Sequence, residues 1–382
     1  MAKIALVNAP YFSHVGTLMR LTDVLVRQGH EVVVWAPERC RERVQAWEGT
    51  FELHEPDMPH VKGLGFAAEL TARTAHRSEA LIEQLFRHDV DLLIHDSQAP
   101  WAQVAGDYLG VPRLVSHPLF PDVLHYHTPS DAQLQWPTVD PEEATEQFEA
   151  NWLAIARRWG VRMNTTMASG GNPTITFTTE ELLGDFELQP GWHCVGPLMA
   201  PIPAATAPGP RPLVYVCFGT SYNGRPALFN TVIAGLADEP VDVLVSMGNG
   251  TLSAADLDPL PANVTVRDFV SAREVLARAC VHITHGGCNS VHESLLAGVP
   301  MVCIPQGWDQ FPLSKRIEAL GVAAVVGEDP GAVREATRFL LNNAKARAHA
   351  SELSEHLRHY DGERRVADVI EAVLSEHATL TA

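Results

Sequence analysis

Two Rossmann-like α/β halves facing across a cleft are what this sequence predicts, and three observations carry the prediction. An apolar run, a short turn, an amphipathic helix and a second apolar run fill residues 3–35, and the pattern restarts at 213–246. Between them lies APIPAATAPGPRP (200–212), proline and alanine without periodicity, which reads as a linker. The length, 382 residues, is what the domain-size prior divides into two units with a core each. The expected boundaries are 1–199, 200–212 and 213–382, with the last helix free to pack back on the first half.

The elements follow in order. KIALVN (3–8) is an opening strand. The turn 9–13 leads to His14 and a helix with Val15, Leu18, Leu21 and Leu25 on one face, closed by Gly29. Residues 31–35 form the next strand. No GxGxxG joins them, so the dinucleotide fingerprint is missing and hydride chemistry on NAD is disfavoured. Helix letters run over about 67–88, a buried strand over 90–95 ends at Asp96, and 101–109 and 112–116 add a helix and a strand. Residues 117–140 are rich in proline, histidine and aromatics, as suits an irregular, variable loop. A helix (about 141–159) and a strand (174–178) complete the first half. The second half reads as strand 213–218, turn Gly219-Thr220-Ser221, helix 227–236, strands 241–246 and 264–267, and helix 272–279. Helical letters, notably 365–376, close the chain.

Composition narrows the function. A hydrophobic share of 46% against 19% charged residues describes a globular protein rather than a disordered one. The formal charge of −18 repels nucleic acid and anionic membranes, so any anionic ligand must be held by local donors. The cysteines at 40, 194, 217, 280, 288 and 303 are scattered without a CxxC pair, which reads as reduced thiols. The N-terminal apolar run is too short for a signal peptide, and no run approaches the ~18 residues that span a membrane. A cytoplasmic protein is expected, with neither nucleic acid nor membrane insertion, and homodimerisation is open to it.

The stretch 281–310, VHITHGGCNSVHESLLAGVPMVCIPQGWDQ, concentrates the chemistry. Strand 281–284 runs into His285-Gly286-Gly287, then a short helix (289–296), Gly298 and Pro300, a strand (301–304) and a polar run ending in Asp309-Gln310. Glycines let backbone amides approach a ligand, and a helix start offers unpaired N–H groups to an anion such as a diphosphate. The competing reading is structural, with Ser290 and Glu293 closing a capping box. In the first half, His14 follows one strand and Asp96 ends another, so both reach the carboxyl edge of one sheet. A carboxylate on one imidazole nitrogen fixes the tautomer and raises the basicity of the other. The competing readings are a packing histidine and a helix cap.

The spacing His285, Gly287, Asn289, Ser290, Glu293, Gly298-Val299-Pro300, Asp309-Gln310 resembles the donor-binding signature of family 1 glycosyltransferases. These have the two-domain GT-B fold, and the likeness is greatest to bacterial enzymes acting on macrolides, enediynes and related natural products. The resemblance implies that His14 is the general base and Asp96 its orienting carboxylate. The family often has glycine before this histidine and proline three residues after it, where this chain has Ser13 and Thr17. It assigns His285, Gly286, Gly287, Asn289 and Ser290 to the diphosphate, together with Gly219, Thr220 and Ser221. Glu293 falls to the ribose, and Asp309 and Gln310 to the sugar hydroxyls. Phe269 takes the place of the base-stacking aromatic, while the Pro-Gln that follows it in the family is Ser271-Ala272 here. Phe12, with His117, Phe120, His125 and Trp136, is the candidate acceptor surface.

The resemblance therefore implies an inverting transfer from a dTDP- or UDP-sugar, with a deoxysugar favoured, to a hydroxyl of a lipophilic natural product. No metal or cofactor is expected. Asp89-Val-Asp91 and Asp256-Leu-Asp258 match the metal motif of a different glycosyltransferase fold but read as surface. His125-Tyr-His127 has no further ligands at metal-site spacing. Two other readings stand beside this one: a GT-B sugar-nucleotide 2-epimerase, and a catalytically silent sugar-nucleotide-binding partner.

Overall fold

The computed structural model describes residues 1–58, 64–118, 120–121, 140–161, 173–203, 209–220, 224–248, 252–307 and 309–381, the side chains of Phe12, Leu64, Leu380 and Thr381 excepted. The first half runs β1 (Lys3–Val7), α1 (Phe12–Arg27), β2 (Glu31–Ala36), α2 (Arg41–Ala46), β3 (Thr50–Leu53), α3 (Leu64–His88) and β4 (Leu92–Asp96). It continues with α4 (Pro100–Leu109), β5 (Arg113–His117), α5 (Pro141–Trp159), β6 (Thr174–Thr176), α6 (Glu180–Leu183) and β7 (Trp192–Cys194). The second half runs β8 (Leu213–Cys217), α7 (Pro226–Leu236), β9 (Asp242–Ser246), β10 (Val264–Arg267), α8 (Ala272–Leu276), β11 (Val281–Thr284) and α9 (Cys288–Ala297). Then come β12 (Met301–Cys303), α10 (Gln310–Ala319), β13 (Ala323–Val325), α11 (Pro330–Asn342), α12 (Ala344–His359) and α13 (Gly362–Thr381).

Each half is an all-parallel sheet, in the orders β3-β2-β1-β4-β5-β6-β7 and β10-β9-β8-β11-β12-β13. Helices cover both faces of such sheets, so their central strands are apolar throughout. KIALV and LVYVC are runs of this kind, and Ile4, Ala5, Leu6 and Val7 are fully buried. Strand order reverses between β1 and β4 in one sheet and between β8 and β11 in the other. Loops leaving strands at a reversal diverge and open a crevice at the carboxyl ends, where ligands bind in open α/β sheets. Both candidate clusters lie at these two points.

Three short strands, TFEL, WHC and AAV, are absent from the sequence reading. Three or four residues show neither an alternation nor an apolar run long enough to stand out, and it is pairing with a formed neighbour that makes them strands. The helix after the glycine turn starts at Cys288 with Gly287 as its N-cap, so Ser290 lies inside the helix and the capping box is not formed.

The chain ends on the half where it began. Val366, Val369, Ile370 and Val373 of α13 pack into the same core as Ile4, Leu6, Leu18 and Leu25. Arg27 of α1 adds an ion pair to Glu363 at 2.7 Å. The turn into α13 is set by Tyr360, whose ring lies against Gly196 and whose hydroxyl donates to Glu180 (2.8 Å). Val366→Asp, which buries an unpaired carboxylate, should cost roughly 3 kcal/mol or more. The exposed neighbouring change Glu371→Lys should leave the midpoint within about a degree. Calorimetry of both variants checks this; equal midpoints would mean that α13 is not part of the core.

Candidate functional site

On the first half, the edge of the sheet holds a buried histidine–carboxylate pair. His14 is the third residue of α1, and the Asn8 side-chain amide donates to its carbonyl (2.7 Å), fixing the turn between β1 and α1. The register Val7↔His95 sets the end of β1 beside the end of β4, which brings Asp96 under the turn. His14 Nδ1 meets Asp96 Oδ2 at 2.7 Å, with Asp96 fully buried and His14 nearly so. Asp96 Oδ1 accepts from the Gln98 backbone (2.7 Å), so the carboxylate cannot swing away. With Nδ1 turned to the carboxylate, Nε2 is the basic nitrogen left for a substrate proton. The Tyr11 ring meets His14 edge-on, with centroids 5.3 Å apart.

His117, at the end of β5, lies deeper. Its Nδ1 meets Ser97 Oγ at 3.1 Å, its buried Nε2 has no partner among the described residues, and burial holds its pKa at about 4. Phe120 is buried in a cluster with Cys288, Val291 and Leu313 of the second half. Its ring thus packs against the second half in the free protein. His125, Trp136 and the side chain of Phe12 lie outside the described residues, as does Ser221.

On the second half, the loops after β8, β11 and β12 converge. The His285 imidazole is wedged between two of them: a Cβ at Gly219 would come within 2.8 Å of the ring and one at Gly287 within 2.4 Å. Glycine is therefore required there by the ring as well as by any ligand. Gly286 has φ +79°, and a Cβ would meet Ser314 Oγ at 2.1 Å. Burial holds His285 neutral, its pKa lowered to about 4. Gln310 opens α10, and its Oε1 accepts from the backbones of Gln306 (2.7 Å) and Gly307 (3.1 Å), tying the loop after β12 into one shape. Arg225 holds the Gln306 side chain and pairs with Glu328 at 2.6 Å. Phe269 follows β10 and is 67% exposed, an open ring face. Burial raises the Glu293 carboxyl above its ordinary range, opposed by Arg20 and Arg273.

The two edges meet. Asp309 Oδ2 accepts from the Phe120 backbone across the halves (3.1 Å). Asn289, in the first turn of α9, accepts at Oδ1 from Arg20 Nη2 (2.8 Å) and donates from Nδ2 to the Ser13 carbonyl (3.4 Å). Its amide is thus engaged with the turn that carries His14. Sequence reasoning missed Arg20, because it is one more polar residue on an amphipathic helix and its partner lies 269 residues away. The two DxD strings have structural partners: Asp91 accepts from the Lys3 backbone, and Asp256 closes a turn with Ser253. No cluster of three or more potential metal ligands exists among the described residues, and no helix among them is long and apolar enough to cross a membrane.

Two parallel sheets set edge to edge, with a buried histidine–carboxylate pair on one and a glycine-rich helix start on the other, make up the GT-B fold, and the relatives that match over almost the whole chain are named glycosyltransferases. Residues 230–372 match the family model described as "Erythromycin biosynthesis protein CIII-like, C-terminal domain". The chain is 28% identical to demethyllactenocin mycarosyltransferase of Streptomyces fradiae, over 99% of this chain and 88% of that one. The glycosyltransferase of kitacinnamycin superposes with a TM-score of 0.82 at 22% identity, covering 97% of this chain and 98% of that one. The glycosyltransferase VinC in complex with dTDP gives 0.74 at 17%, covering 98% and 100%.

Asp309 generates a prediction. Burial raises its carboxyl to about 6 from 3.8, so the neutral form is favoured by folding. That contribution is complete below about pH 4 and is lost as the pH rises through 6. Asp309→Asn, neutral throughout and still able to accept from Phe120, should be more stable than the parent above pH 6, by about 2 kcal/mol. The gap should close below pH 4. Melting curves from pH 4 to 8 test it, and a variant no more stable at pH 8 than the parent would contradict the account.

Proposed function

We propose that the chain is an inverting glycosyltransferase that moves a sugar, favoured to be a deoxysugar, from a dTDP- or UDP-sugar to a hydroxyl of a lipophilic natural product. The observation that carries this reading is the His14–Asp96 pair, 2.7 Å apart, on the edge that α9 and Asp309 face. His14 Nε2 takes the acceptor's hydroxyl proton while Asp96 stabilises the imidazolium that forms. The acceptor oxygen bonds to the anomeric carbon from the face opposite the nucleotide, and the bond from that carbon to the diphosphate oxygen breaks. One displacement gives inversion.

In this reading the first turn of α9, with Ser290 and the Gly219-Thr220-Ser221 loop, offers donors to the departing diphosphate, Asn289 and His285 lying beside it. Glu293 takes the ribose hydroxyls, Asp309 and Gln310 the sugar hydroxyls, and Phe269 stacks on the base. Neither metal nor cofactor has a step to perform, since helix-start donors can take up the leaving-group charge. Support for the donor and acceptor classes comes from the relatives: one is named a mycarosyltransferase, and one neighbour holds dTDP. We place the activity in the cytoplasm, where six scattered free cysteines are at home.

The test is incubation of the chain with dTDP- and UDP-sugars and a panel of lipophilic hydroxyl acceptors, with the anomeric configuration of the product read by NMR. Inversion is expected. His14→Ala should keep donor binding and lose transfer by about 10²- to 10⁴-fold; Asp96→Asn should fall in the same direction. A His14→Ala enzyme with undiminished yield would contradict the base assignment. Epimerised sugar nucleotide formed without acceptor, or no turnover by the unaltered chain, would favour the epimerase or the silent binder respectively.

A further inference from the structure

Arg20 is half-buried and sits where a cation is hardest to explain. Its Nη2 donates to Thr17 Oγ1 (3.0 Å) on its own helix and to Asn289 Oδ1 (2.8 Å) in the first turn of α9. Its Nε is buried with no partner among the described residues. The start of α9 carries the positive end of a helix dipole and unpaired N–H groups, which repel a guanidinium. Burial disfavours the cation most and Arg43 adds like charge, while the Glu293 carboxylate of α9 favours it. Glu293 and Asn289 Oδ1 offset this in part, and an anion placed between the guanidinium and the helix start would meet both the unsatisfied donor and the remaining positive charge. The net charge of −18 shows that cations are not simply abundant on this surface.

We infer that Arg20 is a ligand of the donor's diphosphate, contributed by the half that binds the acceptor; this rests on the donor site proposed above. The diphosphate is held by the α9 backbone on one side and by the guanidinium on the other. The same side chain grips Asn289, which in turn holds the Ser13 carbonyl next to His14. Binding of the leaving group therefore draws the two edges together and sets the base against the sugar. As the bond to the diphosphate breaks, the charge developing on its oxygen is met by a cation fixed in place beforehand.

The experiment compares calorimetric affinities of the unaltered chain, Arg20→Gln and Arg20→Lys for dTDP and UDP, and for thymidine and uridine. Arg20→Gln should weaken the preferred nucleoside diphosphate by about 10- to 100-fold and leave the nucleoside within about twofold. Arg20→Lys should recover part of the loss, since charge is kept and the fork is not. Melting curves confirm folding, and Arg20→Met replaces Arg20→Gln should that variant not fold. Equal loss for nucleoside and diphosphate, or no loss at all, would overturn the role of Arg20 while leaving the donor site standing. If the folded, unaltered chain binds no nucleoside diphosphate, the donor-site reading falls and the role of Arg20 with it.

Discussion

Two parallel sheets can perform one reaction between them only if their carboxyl edges are brought together, and the chemistry of this chain depends on that constraint. Each sheet by itself is ordinary: apolar strands covered by helices, with loops diverging where the strand order reverses. What makes a site is the contact of His14 and its turn with the start of α9, and of the Phe120 backbone with Asp309. Apolar packing crosses there too: Phe120, Leu182 and Leu183 share one cluster with Val291, Leu313 and Ile317. The crossing of α13 back to the first half adds a further apolar attachment.

The site stores unfavourable electrostatics. Asp309 and Glu293 are carboxyls raised by burial, Arg20 is lowered to about 10, and His117, His285 and His292 are held near 4. All these shifts have burial as their largest cause, and each group has few fixed partners in the free protein. Groups desolvated in advance interact strongly with a charged ligand when it arrives. The cost is carried as lost stability, the trade that functional sites commonly make.

Much of this was legible in the amino-acid sequence, for identifiable reasons. A central parallel strand is buried on both faces, so KIALV and VHIT announce themselves, and the residue that ends such a strand must lie at the edge. That placed His14 with Asp96, and His285 with Asp309, before any coordinates. The contributions of partners distant in the chain were not legible. Arg20 looks like any solvent-facing arginine until Asn289 is seen against it, and Phe120 looks like a loop aromatic until the second half closes over it. His285 explains why Gly219 and Gly287 carry no side chain, where local reasoning saw room for an anion alone. The competing capping-box reading fails because Gly287 starts the helix earlier than the Ser290 pattern implies.

The central claim is that the facing edges are built for a nucleoside diphosphate, and thermal unfolding in the presence of saturating dTDP, UDP, GDP or NAD tests it most directly. A ligand at 100 times its dissociation constant adds ~2.7 kcal/mol of stability. The account predicts that dTDP or UDP raises the midpoint and NAD does not, with dTDP above UDP pointing to a deoxysugar donor. Stabilisation by NAD with none from either nucleoside diphosphate would contradict it.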